Sequence, residues 1–158
     1  MSQTRSNEAF VQSVFGVYRD AACTREERAQ SYRDMAGFLP PRVNARLAVT
    51  GAIDPAILDL QERVRAHALE TEHFDPKQVQ LLIFAMLMAE LSDAAVIHGV
   101  AARRAGASWE ELQAVVSLAY VFRGVSAANR GAEMLIRIAE REQELAAQES
   151  FPPAATAD

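Results

Sequence analysis

The stretch from residue 75 to residue 134 constrains the fold most, because it carries repeated helix-start signals and no strand-like alternation. Asp75 precedes Pro76, so a capping carboxylate stands before a proline at the first helical position. Ser108 and Glu111 have the spacing of a capping box. Apolar residues between these signals recur with the period of an α-helix. The pattern predicts an all-α fold with short connecting loops.

Similar signals divide the N-terminal half. We expect a first helix, capped by Ser6 or Asn7, to run to about Ala22, and a second to run from Thr24 to Gly37. A short helix is predicted over 42–50, closed by a glycine at position 51, and another over 55–70. The inward face of that last helix is predicted to carry Ile57, Leu60, Val64 and Ala68.

The remaining helices follow from the later signals. They are predicted to run from Asp75 to Leu91, from Ser92 and Asp93 to Gly106, from Ser108 to Phe122, and from Ser126 to Gln148. We expect residues 1–37 to form an N-terminal helical arm, residues 38–148 a compact core, and residues 149–158 a disordered tail.

Composition excludes several classes of protein. A net charge of −5 over 158 residues argues against a nucleic-acid surface, which needs clustered Lys and Arg. The most apolar run, 79–91, is too short to span a bilayer. A single cysteine, Cys23, excludes an internal disulfide, and no cluster of His, Asp and Glu has metal-ligand spacing. With no signal peptide evident, these features predict a cytoplasmic protein without a membrane partner.

His98 is the candidate for chemistry. It stands beside a stripe of small residues with helical spacing, formed by Ala95, Gly99, Ala102 and Gly106. Two interpretations remain open. The stripe is either a tight helix crossing, with His98 bonded to a backbone carbonyl, or the wall of a pocket. In a pocket, an imidazole with an unperturbed pKa of ~6.5 would serve as a general acid or base.

The segment HGVAARRAGASWEELQAVVSLAYVFRGVSAAN, residues 98–129, resembles the core of the carboxymuconolactone decarboxylase family, which is related to the alkylhydroperoxidase D-like proteins. The resemblance extends over roughly 40–145. It implies an alkylhydroperoxidase D-like helical bundle, here with an extra N-terminal helical segment. It also implies a homo-oligomer, a trimer or a hexamer, with sites near subunit boundaries.

The departures from the family pattern concern the reaction. Peroxidase members carry Cys-x-x-Cys-x-x-x-His, and the two cysteine positions are Leu91 and Ala94 here, so thiol peroxidase activity is the least supported reaction. Decarboxylase members lack the cysteines and need no cofactor. The basic positions near the start of their preceding helix keep only Lys77, with Gln78 and Gln80 beside it, which favours a more apolar substrate than a dicarboxylate.

The predicted catalytic residues are His98 and Glu90, whose carboxylate would orient the imidazole or act as an acid of raised pKa. The predicted substrate-binding residues are Tyr120, Arg123, Phe84, Met88, Leu91 and Asn129. Each of the polar candidates other than His98 has a structural alternative: a solvated charge for Glu90, a core tyrosine and a surface arginine for Tyr120 and Arg123, and a cap or an intersubunit pair for Asn129.

Three functions follow from these residues. The first is a cofactor-independent, decarboxylase-like lyase or an isomerase or cyclase, acting on a small unsaturated substrate with His98 as general acid/base. The second is a non-catalytic oligomeric binding protein on the same scaffold. The third, a thiol peroxidase, lacks its nucleophiles.

Overall fold

The computed structural model describes residues 8–150, with side chains for residues 8–148. Within that range the chain forms eight helices and no strand, which confirms the all-α prediction. The helices are α1 Glu8–Phe15, α2 Arg25–Ala36, α3 Pro41–Ile53, α4 Pro55–Leu69, α5 Pro76–Ala89, α6 Ala95–Arg104, α7 Trp109–Arg123 and α8 Val125–Ser150. They belong to two compact units, Met1–His73 and Phe74–Asp158.

In the first unit, α3 packs against α1, α2 and α4. Its apolar core is formed by Ala29, Leu47 and Leu58, with Tyr18, Leu39 and Val43 packed against them. The capping box at Thr24 and the left-handed Gly37 delimit α2 as predicted, because both signals depend on a few adjacent residues. The Asp54 side chain caps α4, also as predicted.

Two predicted helix ends in this unit are wrong. The first helix stops at Phe15, not Ala22, because Gly16 adopts a φ of 92°. Its predicted cap at Ser6 or Asn7 lies outside the described residues. The third helix continues through Gly51 to Ile53. A Cβ at Gly51 would lie 2.3 Å from ring carbons of Tyr18, so the glycine is needed for packing. Gly51 therefore permits a close contact and does not end the helix.

The predicted inward face of α4 is also wrong. The side chains expected inside, Ile57, Leu60, Val64 and Ala68, are exposed. Leu58 and Glu62 are buried in their place. The face is displaced because Glu62 accepts a hydrogen bond of 2.9 Å from the Tyr32 hydroxyl and pairs with Arg46. A buried carboxylate with these donors outweighs the hydrophobic periodicity of the helix.

Two polar clusters link the helices of the first unit. In the first cluster, the buried Arg28 forms an ion pair with Asp20 and a second one, at 3.1 Å, with Asp59. Its guanidinium also donates a hydrogen bond to the Tyr18 hydroxyl. In the second cluster Tyr32 joins Glu62 and Arg46, while the Arg65 guanidinium lies 3.7 Å from the Tyr32 ring centroid. Burial is the main cause that raises the pKa of Tyr32 to about 12.

In the second unit, α5 packs against α6, α7 and α8. The largest fully buried side chains of this unit are Phe84, Met88, Val100, Leu112, Met134 and Ile138. Asp75 and Ser108 form complete capping boxes at the starts of α5 and α7, as predicted. Gly124, with a φ of 64°, separates α7 from α8, which confirms the predicted break.

The turn between α5 and α6 differs from the prediction. Helix α5 ends at Ala89, two residues before the predicted Leu91, which takes a left-handed φ of 55°. Helix α6 begins at Ala95, and its N-cap, Ala94, makes no side-chain capping bond. Asp93, which was expected with Ser92 to begin α6, pairs with Arg130 and Arg137 of α8. Its carboxylate therefore connects the turn before α6 to α8.

The predicted domain boundaries stay a prediction. The boundary between the arm and the core, after residue 37, falls between α2 and α3, which lie in the same compact unit. Of the predicted tail, 149–158, only the first two residues are described, and they end α8.

Candidate functional site

His98 lies on α6, half-buried, and its imidazole meets a buried amide from the neighbouring helix. The Nδ1 atom of His98 lies 2.8 Å from Oε1 of Gln80 on α5, and Gln80 is only 6% exposed. An amide oxygen only accepts hydrogen bonds, so the Nδ1–H group of the imidazole is the donor in this contact. The ring is therefore held in one orientation by a side chain from another helix.

The position of Gln80 follows from the face of α5. Gln80, Phe84 and Met88 are spaced four residues apart, so they share one side of the helix, and all three are buried. In the sequence, Gln80 stands out only as a departure from the family's basic positions. Gln80 could have been found from its spacing, because it is the one amide on an otherwise apolar, buried helix face. A buried amide needs a polar partner, so this position predicts a hydrogen bond to another side chain.

The small-residue stripe of α6 is a close helix crossing. Ala95, Gly99 and Ala102 are buried, whereas Gly106 is exposed. A Cβ on Gly99 would lie 2.2 Å from Cδ1 of Ile138 on α8. This agrees with the first interpretation of the stripe. However, Nδ1 of His98 contacts a side-chain amide, where that interpretation placed a backbone carbonyl.

We expect Gly99→Ala to lower the free energy of unfolding by about 1 kcal/mol. Overpacking costs ~1–3 kcal/mol, and the better helix propensity of alanine returns up to ~1 kcal/mol. Ile138→Val removes Cδ1 but keeps a Cγ where Cγ1, at 2.9 Å from the new Cβ, now stands, so in that background the same change should cost less. Urea unfolding of the four proteins measures both effects. An equal loss in both backgrounds would show that the Ile138 contact is not the cause.

The other predicted site residues occupy different environments. Phe84 and Met88 are fully buried, and Phe84 Cε2 lies 3.5 Å from where a Cβ on Gly99 would stand. Leu91 is half-buried in the turn after α5. Glu90 is exposed at the C-terminal end of α5, whereas Nδ1 of His98 contacts Gln80; the catalytic role of Glu90 stays a prediction.

The three polar candidates of the later helices are all exposed. Tyr120 and Arg123 lie in the last turn of α7, and Asn129 lies near the start of α8. Their exposure excludes the core position that was the structural alternative for Tyr120. It leaves all three accessible to a ligand, and their binding role stays a prediction.

The charges near the start of α5 are already paired. Nζ of Lys77 lies 2.8 Å from Oε1 of Glu111, and this hydrogen bond raises the pKa of Lys77 and lowers that of Glu111. Lys77 is the one basic residue kept at the positions where decarboxylase members carry several. Its ammonium group is bound to Glu111, a residue of the capping box of α7. The expectation of a more apolar substrate stays a prediction.

The described residues contain no group of three or more His, Cys, Asp or Glu placed to hold a metal ion. Among the helices of residues 8–150, none is long and apolar enough to cross a membrane.

The helices and the His98–Gln80 pair define an all-α protein with an oriented histidine on a tightly packed helix. Residues 55–136, just over half of the chain, match the carboxymuconolactone decarboxylase family, and the chain belongs to that family. The match lies within the 40–145 range of the predicted resemblance and confirms it. Neither the comparison with curated proteins nor that with solved structures gave a match.

Proposed function

We propose that this protein is a cofactor-independent enzyme that moves a proton on a small unsaturated substrate, as a decarboxylase-like lyase or as an isomerase or cyclase. His98 is the general acid/base. The observation that carries the proposal is the 2.8 Å bond from His98 to the buried Gln80 amide, which orients the imidazole. An oriented imidazole can both accept and return a proton near neutral pH without a metal or an organic cofactor.

The remaining residues of the proposed site complete its chemistry. Glu90 is a second acid at the end of α5, facing solvent in the single chain. The proposed substrate contacts come from Tyr120, Arg123, Phe84, Met88, Leu91 and Asn129. The first two and Asn129 supply polar groups and the half-buried Leu91 supplies apolar surface, which suits an unsaturated substrate with a carbonyl or carboxyl group. Phe84 and Met88 are fully buried, so they would touch a substrate only if the helices around them part.

A homo-oligomer, trimer or hexamer, forms part of the proposal. Leu118, Val121 and Phe122 at the end of α7 are 65%, 74% and 82% exposed. A cluster of large apolar side chains of this kind marks an interaction surface. Tyr120 and Arg123 lie in the same stretch, so a neighbouring subunit there would lie next to two of the proposed substrate contacts.

Thiol peroxidase activity is not part of the proposal. The two positions of the peroxidase cysteines hold Leu91 and Ala94, neither of which forms a thiolate. The single thiol, Cys23, is half-buried, and burial raises its pKa, which lowers the fraction of nucleophilic thiolate.

A second function, a non-catalytic binding protein on the same scaffold, is favoured by one observation. Ile138 packs against Gly99, the neighbour of His98 on α6, and closes that face of the helix to a substrate. A binding protein needs an oriented polar group but no proton transfer.

The test is turnover in deuterated water. The chelator-treated protein is incubated with a panel of small conjugated ketones, lactones and keto acids, and products are followed by NMR. We expect one class to lose carbon dioxide, isomerise or take up deuterium, and this activity to be absent from His98→Gln. Compounds that raise the melting temperature but exchange no hydrogen and form no product would overturn the enzyme proposal in favour of the binding protein.

A further inference from the structure

We propose that Gln80 is a positioning residue that holds the proton of neutral His98 on Nδ1, so that Nε2 is the nitrogen that exchanges protons with the substrate. The inference rests on the proposed function, in which His98 moves the proton. Beyond that function, it identifies the ring nitrogen of His98 that exchanges the proton and the side chain, Gln80, that determines the choice between the two nitrogens.

The geometry of the pair carries the assignment. The 2.8 Å separation of Nδ1 and Oε1 is a normal hydrogen-bond length, and only the imidazole can be the donor. The Gln80 amide is buried, so its hydrogen bond is stronger than one in water, and leaving the amide unpaired is costly. A neutral histidine in water prefers its proton on Nε2, so this contact selects the less common tautomer.

The surroundings of Gln80 keep its amide in place. It lies on the same buried face of α5 as Phe84, one turn away, and Phe84 approaches Gly99, the neighbour of His98. The start of α5 is closed by the capping box of Asp75 and Gln78. A small displacement of α5 against α6 would break the contact, so helix packing maintains the orientation of the ring.

The proton step that follows is balanced without an added reactant. The lone pair on Nε2 takes a proton from a carbon beside a substrate carbonyl. The electrons of that C–H bond form the carbon–carbon double bond of an enolate, and the carbonyl π electrons move onto oxygen. The imidazolium then returns the Nε2 proton to a carbon of the enolate, which regenerates the neutral ring.

The tautomer can be read directly from nitrogen-15 NMR of the free protein, above the pH at which the imidazoles titrate. His98 is identified as the histidine missing from His98→Gln. His67 and His73, both exposed, serve as internal references for the solution tautomer. We expect His98 alone to show a protonated Nδ1 and an unprotonated Nε2.

Variants of Gln80 separate positioning from simple packing. Gln80→Leu keeps the volume but removes the acceptor, so the proton of His98 should shift toward Nε2. Gln80→Glu keeps an acceptor and should retain the Nδ1 proton even if the Leu variant folds poorly. The exposed Gln113→Leu is the matched control and should leave the His98 signals unchanged.

A wild-type His98 protonated on Nε2, or an unchanged His98 tautomer in Gln80→Leu, would overturn the assignment. These outcomes differ from a failure of the proposed function. If the tautomers behave as expected but no compound is turned over, the enzymatic role is lost, and the assignment of the ring proton to Gln80 stands.

Discussion

His98→Gln is expected to lower kcat/KM by at least about 100-fold for any substrate that the protein converts. General acid–base catalysis by a positioned side chain contributes ~10²–10⁴-fold, and an amide cannot exchange a proton near neutral pH. Glutamine is polar and of similar length, so it can keep a hydrogen bond to Gln80. The loss should therefore appear in the rate and not in the free energy of unfolding.

The measurements are steady-state kinetics and urea unfolding of the same preparations. His67→Gln and His73→Gln are the matched controls, because both histidines are exposed and lie outside the proposed site. They should keep the activity of the parent within about twofold, and exposed substitutions change stability by less than ~0.5 kcal/mol. If His98→Gln retained a rate within a few-fold of the parent, His98 would not be the general acid/base.

Asp20→Ala should lower the free energy of unfolding by about 3 kcal/mol, because the buried guanidinium of Arg28 loses both hydrogen bonds to Asp20 and keeps only those to Asp59 and Tyr18. The side chains of Asp20 and Arg28 are 4% and 6% exposed. After the substitution, Arg28 keeps its ion pair with Asp59 and its hydrogen bond to the Tyr18 hydroxyl. The backbone amide of Ala22, which donates to Asp20 at 2.9 Å in the parent protein, loses its acceptor. Asp34→Ala, at an exposed position of α2, is the matched control, with an expected change below ~0.5 kcal/mol.

The same carboxylate gives the protein a predictable response to acid. Burial acts to raise the pKa of Asp20, but hydrogen bonds from Arg28 and from the Ala22 amide outweigh it, so the pKa is lowered. The folded state therefore favours the carboxylate. Its stabilising contribution is complete above the unfolded pKa of ~3.9 and is lost as the pH falls through the folded pKa.

Urea unfolding followed by circular dichroism at pH 7 and at pH 3 tests both parts. The wild type should lose stability on acidification, and Asp20→Ala should lose less, since it lacks this titrating group. If Asp20→Ala lost less than 1 kcal/mol of stability at pH 7, or lost as much stability on acidification as the wild type, the Arg28 cluster would not depend on Asp20.

Helix boundaries with local signals were predictable from the chain alone. Thr24, Asp75 and Ser108 cap their helices through a backbone amide three residues away, so the signal and its effect lie within one turn. Gly37 and Gly124 end helices because their own backbone takes a positive φ. None of these features requires a contact with a distant part of the chain.

Faces and partners could not be predicted in this way. The hydrophobic spacing of α4 pointed to Ile57 and Leu60, yet the buried face is defined by Glu62, whose partner Tyr32 lies 30 residues earlier. Gly51 was interpreted as a helix stop, but it accommodates the ring of Tyr18, 33 residues away. In each case a contact made only in the folded chain outweighs the local pattern.

The candidate site also combines features that the sequence predicts with features that only tertiary packing determines. By itself the sequence determined the all-α class, the family and the candidate histidine, because helix periodicity, capping residues and a motif are local properties of the chain. The tertiary structure alone decided that Gln80 contacts His98, that Lys77 pairs with Glu111 and that Gly99 admits Ile138. These choices depend on how helices pack against one another, and hydrogen bonds and close contacts between helices have no fixed spacing along the chain.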